Sequence, residues 1–210
     1  METEWGIEKE QGFVIKRFYP HKNKFSILSK MYGRADLIVT QPTMCARVWP
    51  GMCVSFIPYK RDNGIYTHTV AIEYTPEERS HDELIALHHI LELCYFYLPT
   101  NNPCPEIYNL ISLFITFTLY QQTLCAMYPV IQNLWVAKFL SLMGFYEQAP
   151  IIKDLTIFDM MIVDFTHSQN LEFSMSQIKH INIQKINDWI MLCLKTHPLY
   201  AHFKTVRLMY

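Results

Sequence analysis

The periodicity of the chain changes at Thr75, and that change limits the folds open to it. Before it, β-branched and aromatic residues come in short runs: GFVIKRFYP (12–20), KFSILSKMY (24–32), ADLIVT (35–40), GMCVSFIPY (51–59) and IYTHTVAIEY (65–74). The KRDNG segment before the last run ends on Asn63-Gly64, a dipeptide suited to a tight hairpin turn whose two central residues need positive φ. From Thr75 the sequence TPEE has the form of a capping box with Pro at the first helical position, and predicts a helix starting there. Apolar residues then recur at Leu84, Leu87, Leu91, Cys94 or Tyr95, and Leu98, a helical period.

PTNNPCP (99–105) interrupts that period, and Pro105-Glu106 restarts it. The pattern predicts further helices over 105–122, 129–143 and 183–196, and a last one after Pro198. Residues 151–175, beginning IIKDLTIFDMMIVDF, read equally as a short strand pair or a helix. The expected class is α+β: a five-stranded OB-fold barrel over 1–75, followed by an all-helical domain over 76–210. Residues 107–137 carry no charge, but Asn109, Gln121, Gln122, Pro129, Gln132 and Asn133 interrupt them, which favours buried helices over a membrane span.

The net charge of −1 conceals a segregation. From Gly12 to Arg61 there are nine Lys and Arg against Asp36 alone; from Pro76 to Glu172 there are 11 acids against Arg79, Lys138 and Lys153. From Phe173 onward Lys179, Lys185, Lys195, Lys204 and Arg207 face only Asp188. A basic first segment points to an anionic partner, nucleic acid being the commonest. The six cysteines are scattered, with no C-x-x-C pair, and METEWGIEKE lacks the basic start and apolar run of an export signal. Reduced thiols in a cytoplasmic protein are the expectation.

ALHHILELCYFYLP (86–99) collects ligand-type side chains, since His88 and Glu92 are one helical turn apart and His89 is adjacent. The order is H-H-x-x-E rather than H-E-x-x-H, no third histidine follows, and His81 falls in the polar first turn. Zinc needs three or four converging ligands, so a core helix is the better reading and no metal is expected. No catalytic site is expected either: G-x-S-x-G, the P-loop and the dinucleotide fingerprint are absent, and Asp154, Asp159 and Asp164 recur at a spacing of five that shares no face.

In order along the chain, several stretches resemble the bacterial RecO family of recombination mediators. QGFVIKRFYPHKNKFSILSKMYGR is similar to the family's opening strands, and ARVWPGMCVSF to the lead-in of its fourth strand. ELIALHHILELCYFYLPTNNPCPEIYNLI resembles its first helices, with Glu92-Leu93 at the family's Glu-Leu. LWVAKFLSLMGFYEQAP resembles the helix ending in Leu-Gly-Tyr, and FKTVRLM the terminal helix. The chain departs from the family where four zinc-binding cysteines follow Gly-Tyr in many members: Gly144-Phe145 leads into YEQAPIIKDLT, so the zinc module is absent or reduced around 146–175. MYGRADLIVTQP keeps Gly33, Arg34 and Ala35 of the family's basic loop without its later lysines, and Trp135-Val136 stands for Phe-Glu.

The resemblance implies a protein of DNA repair without cofactors. It would bind single- and double-stranded DNA, promote annealing, and assist recombinase loading with RecR and single-strand-binding protein. The residues expected to carry DNA are Lys16, Arg17, Lys22, Lys24, Arg34, Lys60 and Arg61, with Tyr19 and Tyr32 as stacking rings and Phe18 and Tyr59 interleaved. Lys204 and Arg207 match the basic residues expected to grip the acidic tail of the single-strand-binding protein. An interaction protein of the same fold with little DNA binding is the alternative, and a metal-dependent enzyme on His88, His89 and Glu92 the third reading.

Overall fold

The computed structural model describes residues 8–18, 23–61, 64–76, 80–120, 128–145, 149–167, 178 and 180–206. The chain is α+β, a sheet followed by helices. Seven strands form the sheet: β1 (Glu10–Arg17), β2 (Lys24–Ser29), β3 (Gly33–Val39), β4 (Cys53–Phe56), β5 (Tyr59–Arg61), β6 (Gly64–Thr67) and β7 (Val70–Tyr74). Their order is β5-β6-β3-β2-β1-β4-β7, antiparallel throughout except for β3 beside β6.

Seven strands replace the expected five because two of the predicted runs are each broken once. Ile57-Pro58 separates β4 from β5, where proline has no N–H to give a ladder. His68-Thr69 separates β6 from β7, where the Thr67 hydroxyl donates to the Thr69 carbonyl at 2.8 Å and turns the backbone. β3 shows the two-residue alternation most plainly: Gly33, Ala35, Leu37 and Val39 are buried and the residues between them are not. With Val14, Phe25, Ile27, Val54, Phe56, Ile65 and Val70 they close one apolar core. Burying each large aliphatic side chain there contributes roughly 1.5–3 kcal/mol.

Among the described residues five α-helices follow: α1 (His81–Tyr97), α2 (Pro105–Tyr120), α3 (Tyr128–Leu142), α4 (Ala149–His167) and α5 (Ile183–Lys195). The first does not start at Thr75. Thr75 and Pro76 are outside any helix, and Ser80 is the N-cap, its hydroxyl accepting from the Glu83 N–H while Glu83 accepts from the Ser80 N–H. The second S/T-x-x-E of the region, five residues after TPEE, is the one that caps. Ser80→Ala should cost about 1 kcal/mol, read as a lower urea midpoint with unchanged slope.

The open choice over 151–175 resolves as helix through His167, with 168–175 outside the described residues. After Pro198 a 3-10 turn, Tyr200–His202, comes first, and helical backbone begins at Val206, with the rest of the expected last helix outside the described residues. No helix of the described residues is long and apolar enough to cross a membrane.

The change from strands to helices falls between Tyr74 and His81, but the compact units divide elsewhere. One comprises Met1–Ile111 with Lys204–Met209, and the other Ser112–Phe203 with Tyr210. In the second, Trp135 is buried and meets Phe114, Phe117 and Phe158 edge-on at 5.5, 6.3 and 5.0 Å. A Lys138–Asp159 ion pair at 2.7 Å ties α3 to α4.

Candidate nucleic-acid interface

Strand parity decides which side chains of the sheet can share a surface. In β3 the outward positions are Arg34, Asp36 and Ile38. Lys24 stands opposite Ile38, Ile38 opposite Tyr66, and Tyr66 opposite Tyr59. These four form one row across β2, β3, β6 and β5 on the outer face. The adjoining row runs Lys16, Ser26, Asp36 across β1, β2 and β3.

Lys16 reaches that face because of a bulge. The register of β1 on β2 shifts between Val14 and Lys16, so two residues that strict alternation would place on one side point to opposite sides. Val14 is buried in the core, and Lys16 turns out. Its Nζ lies 3.7 Å from the Tyr95 ring centroid and 5.4 Å from that of Phe18, while Lys24 Nζ is 4.8 Å from Phe18. Such cation–ring contacts are worth about 0.5–2 kcal/mol each and hold the ammonium groups in place.

At the far end of the face three rings follow one another. Tyr66 stacks on Tyr59 at 5.8 Å and 27°, and Tyr59 meets His68 at 5.0 Å and 32°. The Tyr66 ring lies over Gly64, where an added Cβ would come within 2.8 Å of it. His68 is fixed by the Thr40 hydroxyl, 3.1 Å from its Nδ1. Lys60 and Arg61 sit on the same hairpin, both exposed, and neither has an ion-pair partner among the described residues.

The other cations expected to bind DNA are differently placed. Lys24 pairs with Asp36 at 2.9 Å, and Ser26 also donates to that carboxylate. Both partners of the ion pair are about a third exposed, so the pair is worth about 0–1 kcal/mol and a phosphate could replace it. Arg34 is not available in this way. Its guanidinium donates to the Tyr95 carbonyl and the Thr100 hydroxyl, lies 5.1 Å from the Tyr95 ring, and has its Nε buried.

Arg17 leaves the outer face, since it stands opposite the core residue Phe25; it donates to the Val48 carbonyl at 3.3 Å and covers the half-exposed Trp49 at 5.1 Å. Tyr32 packs against the sheet core, its phenol pushed up by burial and by Glu10, and presents no open stacking ring. Tyr19, Lys22 and Arg207 lie outside the described residues. Lys204 is exposed, and its backbone N–H donates to Glu92 at 2.9 Å.

Tyr66, His68 and Tyr95 were not among the expected site residues. Tyr66 could have been found by folding the hairpin about Asn63-Gly64, which sets it opposite Tyr59. Tyr95 needs the tertiary fold.

On α1 the ligand-type residues take structural roles. His89 is wholly buried, its Nδ1 2.7 Å from the Thr205 hydroxyl, and burial pushes its pKa down to about 4. Glu92 accepts from the backbone N–H groups of Lys204 and Thr205, both at 2.9 Å, and from the Thr205 hydroxyl. Among the described residues no three His, Cys, Asp or Glu side chains converge as a metal site. Burial raises the thiols of Cys53 and Cys193 to about 11, so both are protonated at neutral pH. No protein-family model matches the chain, and no curated protein matches it significantly.

Proposed function

We propose that this chain is a RecO-type recombination mediator whose N-terminal sheet is an OB-fold barrel binding DNA. The barrel reading is supported by the pairing. β1, β2 and β3 follow in antiparallel succession, β3 takes β6 in parallel, and β7, two residues after β6, pairs with β4, which returns to β1. With β4–β5 and β6–β7 each counted as one bent strand, the ring has the five members of an OB-fold, whose nucleic-acid face is that of strands 2 and 3 with the flanking loops. In function it would bind single- and double-stranded DNA, anneal strands, and act with RecR and single-strand-binding protein in the cytoplasm, Lys204 and Arg207 receiving the acidic tail.

One observation carries the reading: Lys16, Lys24, Tyr59, Tyr66 and Arg61 fall on the outer face that runs from β1 across β2, β3 and β6 to β5, with the exposed Lys60 on the same hairpin, opposite the core residue Ile65. Cations track phosphates and rings stack bases, which is the combination single-strand binding uses. The second reading, a partner-binding protein with little affinity for DNA, is favoured by the internal engagement of Arg34 and the Lys24–Asp36 pair.

Fluorescence polarisation of a labelled oligonucleotide across a salt series separates the two. Lys60→Ala/Arg61→Ala should weaken binding at low salt and flatten the dependence of log K on log salt by about 1.4 for single strands, two phosphates at about 0.7 each. Absence of binding by the unaltered protein at low salt selects the second reading.

A further inference from the structure

The Tyr66–Tyr59–His68 row is longer than strand pairing requires. A cross-strand Tyr–Tyr pair is an ordinary device of a β-hairpin. His68 does not belong to that pair: it follows the end of β6, yet its ring rests on Tyr59 and the Thr40 hydroxyl holds it there from the far side of the parallel β3–β6 junction. Tyr59 and Tyr66 are half-buried and His68 is exposed, so the row keeps an open side. Gly64 is the position where a side chain would push the Tyr66 ring away.

We propose that this row is a stacking platform for unpaired bases, so that the hairpin selects single strands over duplex. The proposal rests on the nucleic-acid reading given above and adds its substrate class. The chemistry on the page names the occupant. The rings follow one another at centroid distances of 5.8 and 5.0 Å and end on the exposed His68, where an unpaired base can continue the stack, and Arg61 on the same face of the hairpin supplies positive charge for a backbone running beside it. In a duplex the base faces are already covered by neighbouring pairs, so only an unpaired strand can use the rings. An acidic peptide would use the cations and gain nothing from a row of rings; an apolar peptide would gain nothing from the cations.

The test compares poly-dT with a blunt duplex, by polarisation, for the unaltered protein, Tyr59→Leu/Tyr66→Leu and His68→Ala. Leucine keeps apolar cover on the strands, and His68→Ala removes an exposed ring, so it reports even if the double variant fails to fold. The double variant should lose about tenfold or more in affinity for poly-dT, and His68→Ala several-fold, on a stacking scale of about 1–3 kcal/mol per base. Duplex affinity and the salt slope should stay as they were, because no cation is removed. Equal losses on both substrates, or none on either, would overturn the platform while leaving DNA binding in place. If the unaltered protein binds neither substrate, the DNA reading itself fails and the platform with it.

Discussion

Gly33→Ala is expected to unfold the sheet unit or to destabilise it by about 3–4 kcal/mol, the largest effect of a methyl group at any of the described glycines. Two terms add. The backbone at Gly33 has φ +63, a left-handed conformation that costs an L-residue roughly 1–2 kcal/mol. The new Cβ would also fall on the carbonyl carbon of Asn102, 2.5 Å away, and on its oxygen. That carbonyl is backbone in a segment held from several directions. The Asn101 N–H donates to the Arg34 carbonyl at 2.7 Å, Arg34 and Thr100 form a parallel bridge, and the Arg34 guanidinium binds both Thr100 and the last turn of α1. Moving the segment aside to admit a methyl breaks those bonds, each worth about 1 kcal/mol or more.

Gly144→Ala separates the two terms. Gly144 has φ +84 but nothing within 4 Å of an added Cβ, so it should cost only the conformational part, about 1–2 kcal/mol. Urea titrations read by fluorescence would compare them. Similar midpoints for the two variants would mean that the overlap at Asn102 relaxes freely and that the segment is not clamped.

The same clamp shows what the sequence could and could not reveal. The shift from two-residue alternation to helical period is local, so the order of sheet then helices is legible in runs such as GRADLIV and HDELIALHHILELC. The break at Pro58 is visible too, as a proline inside a strand-like run. The turn at His68-Thr69 is not, because it depends on Thr40 and Gln41 donating to the Thr67 and His68 carbonyls at 2.9 and 3.3 Å. The start of α1 was misplaced at Thr75 for a different reason: the box there and the one at Ser80 stand five residues apart and satisfy the same local rule, and only the second caps the helix.

Counting cations between Gly12 and Arg61 identified a basic segment but not a basic face. One extra residue in β1 sends Lys16 to the outer surface and leaves Arg17 beside Trp49. Arg34 is drawn away by partners 61 and 66 positions later in the chain. Neither a bulge nor a contact at such separation leaves a trace in composition or spacing. The rings of Tyr59 and Tyr66 were nearer to being legible, since Asn63-Gly64 fixes the hairpin and the hairpin fixes the pair.

Glu92→Ala should cost about 3 kcal/mol and release the segment at Lys204 from α1. The carboxylate gathers two backbone N–H groups and one hydroxyl from residues 112 and 113 positions away, and hydrogen bonds to a charged acceptor are worth about 1.5–3 kcal/mol each in part-buried settings. Water can reach Lys204, which is exposed, so its bond contributes at the low end; Thr205 is half-buried and its hydroxyl also serves His89, so its loss counts more. Removing Glu92 therefore strips the Thr205 hydroxyl of an acceptor while His89, wholly buried, still depends on that hydroxyl. Glu92→Gln retains one acceptor oxygen but places an NH₂ group where an N–H or O–H now donates, and should cost about half as much. Amide hydrogen exchange reads the effect directly: the Lys204 and Thr205 amides should lose protection in Glu92→Ala before the sheet amides do, since local opening precedes global unfolding there. If those two amides keep their protection while the urea midpoint falls, the carboxylate stabilises α1 by some other route and does not tether the C-terminal segment. A tether of this kind accounts for a carboxylate at Glu92 on a largely apolar helix, since a core helix alone would have no use for the charge.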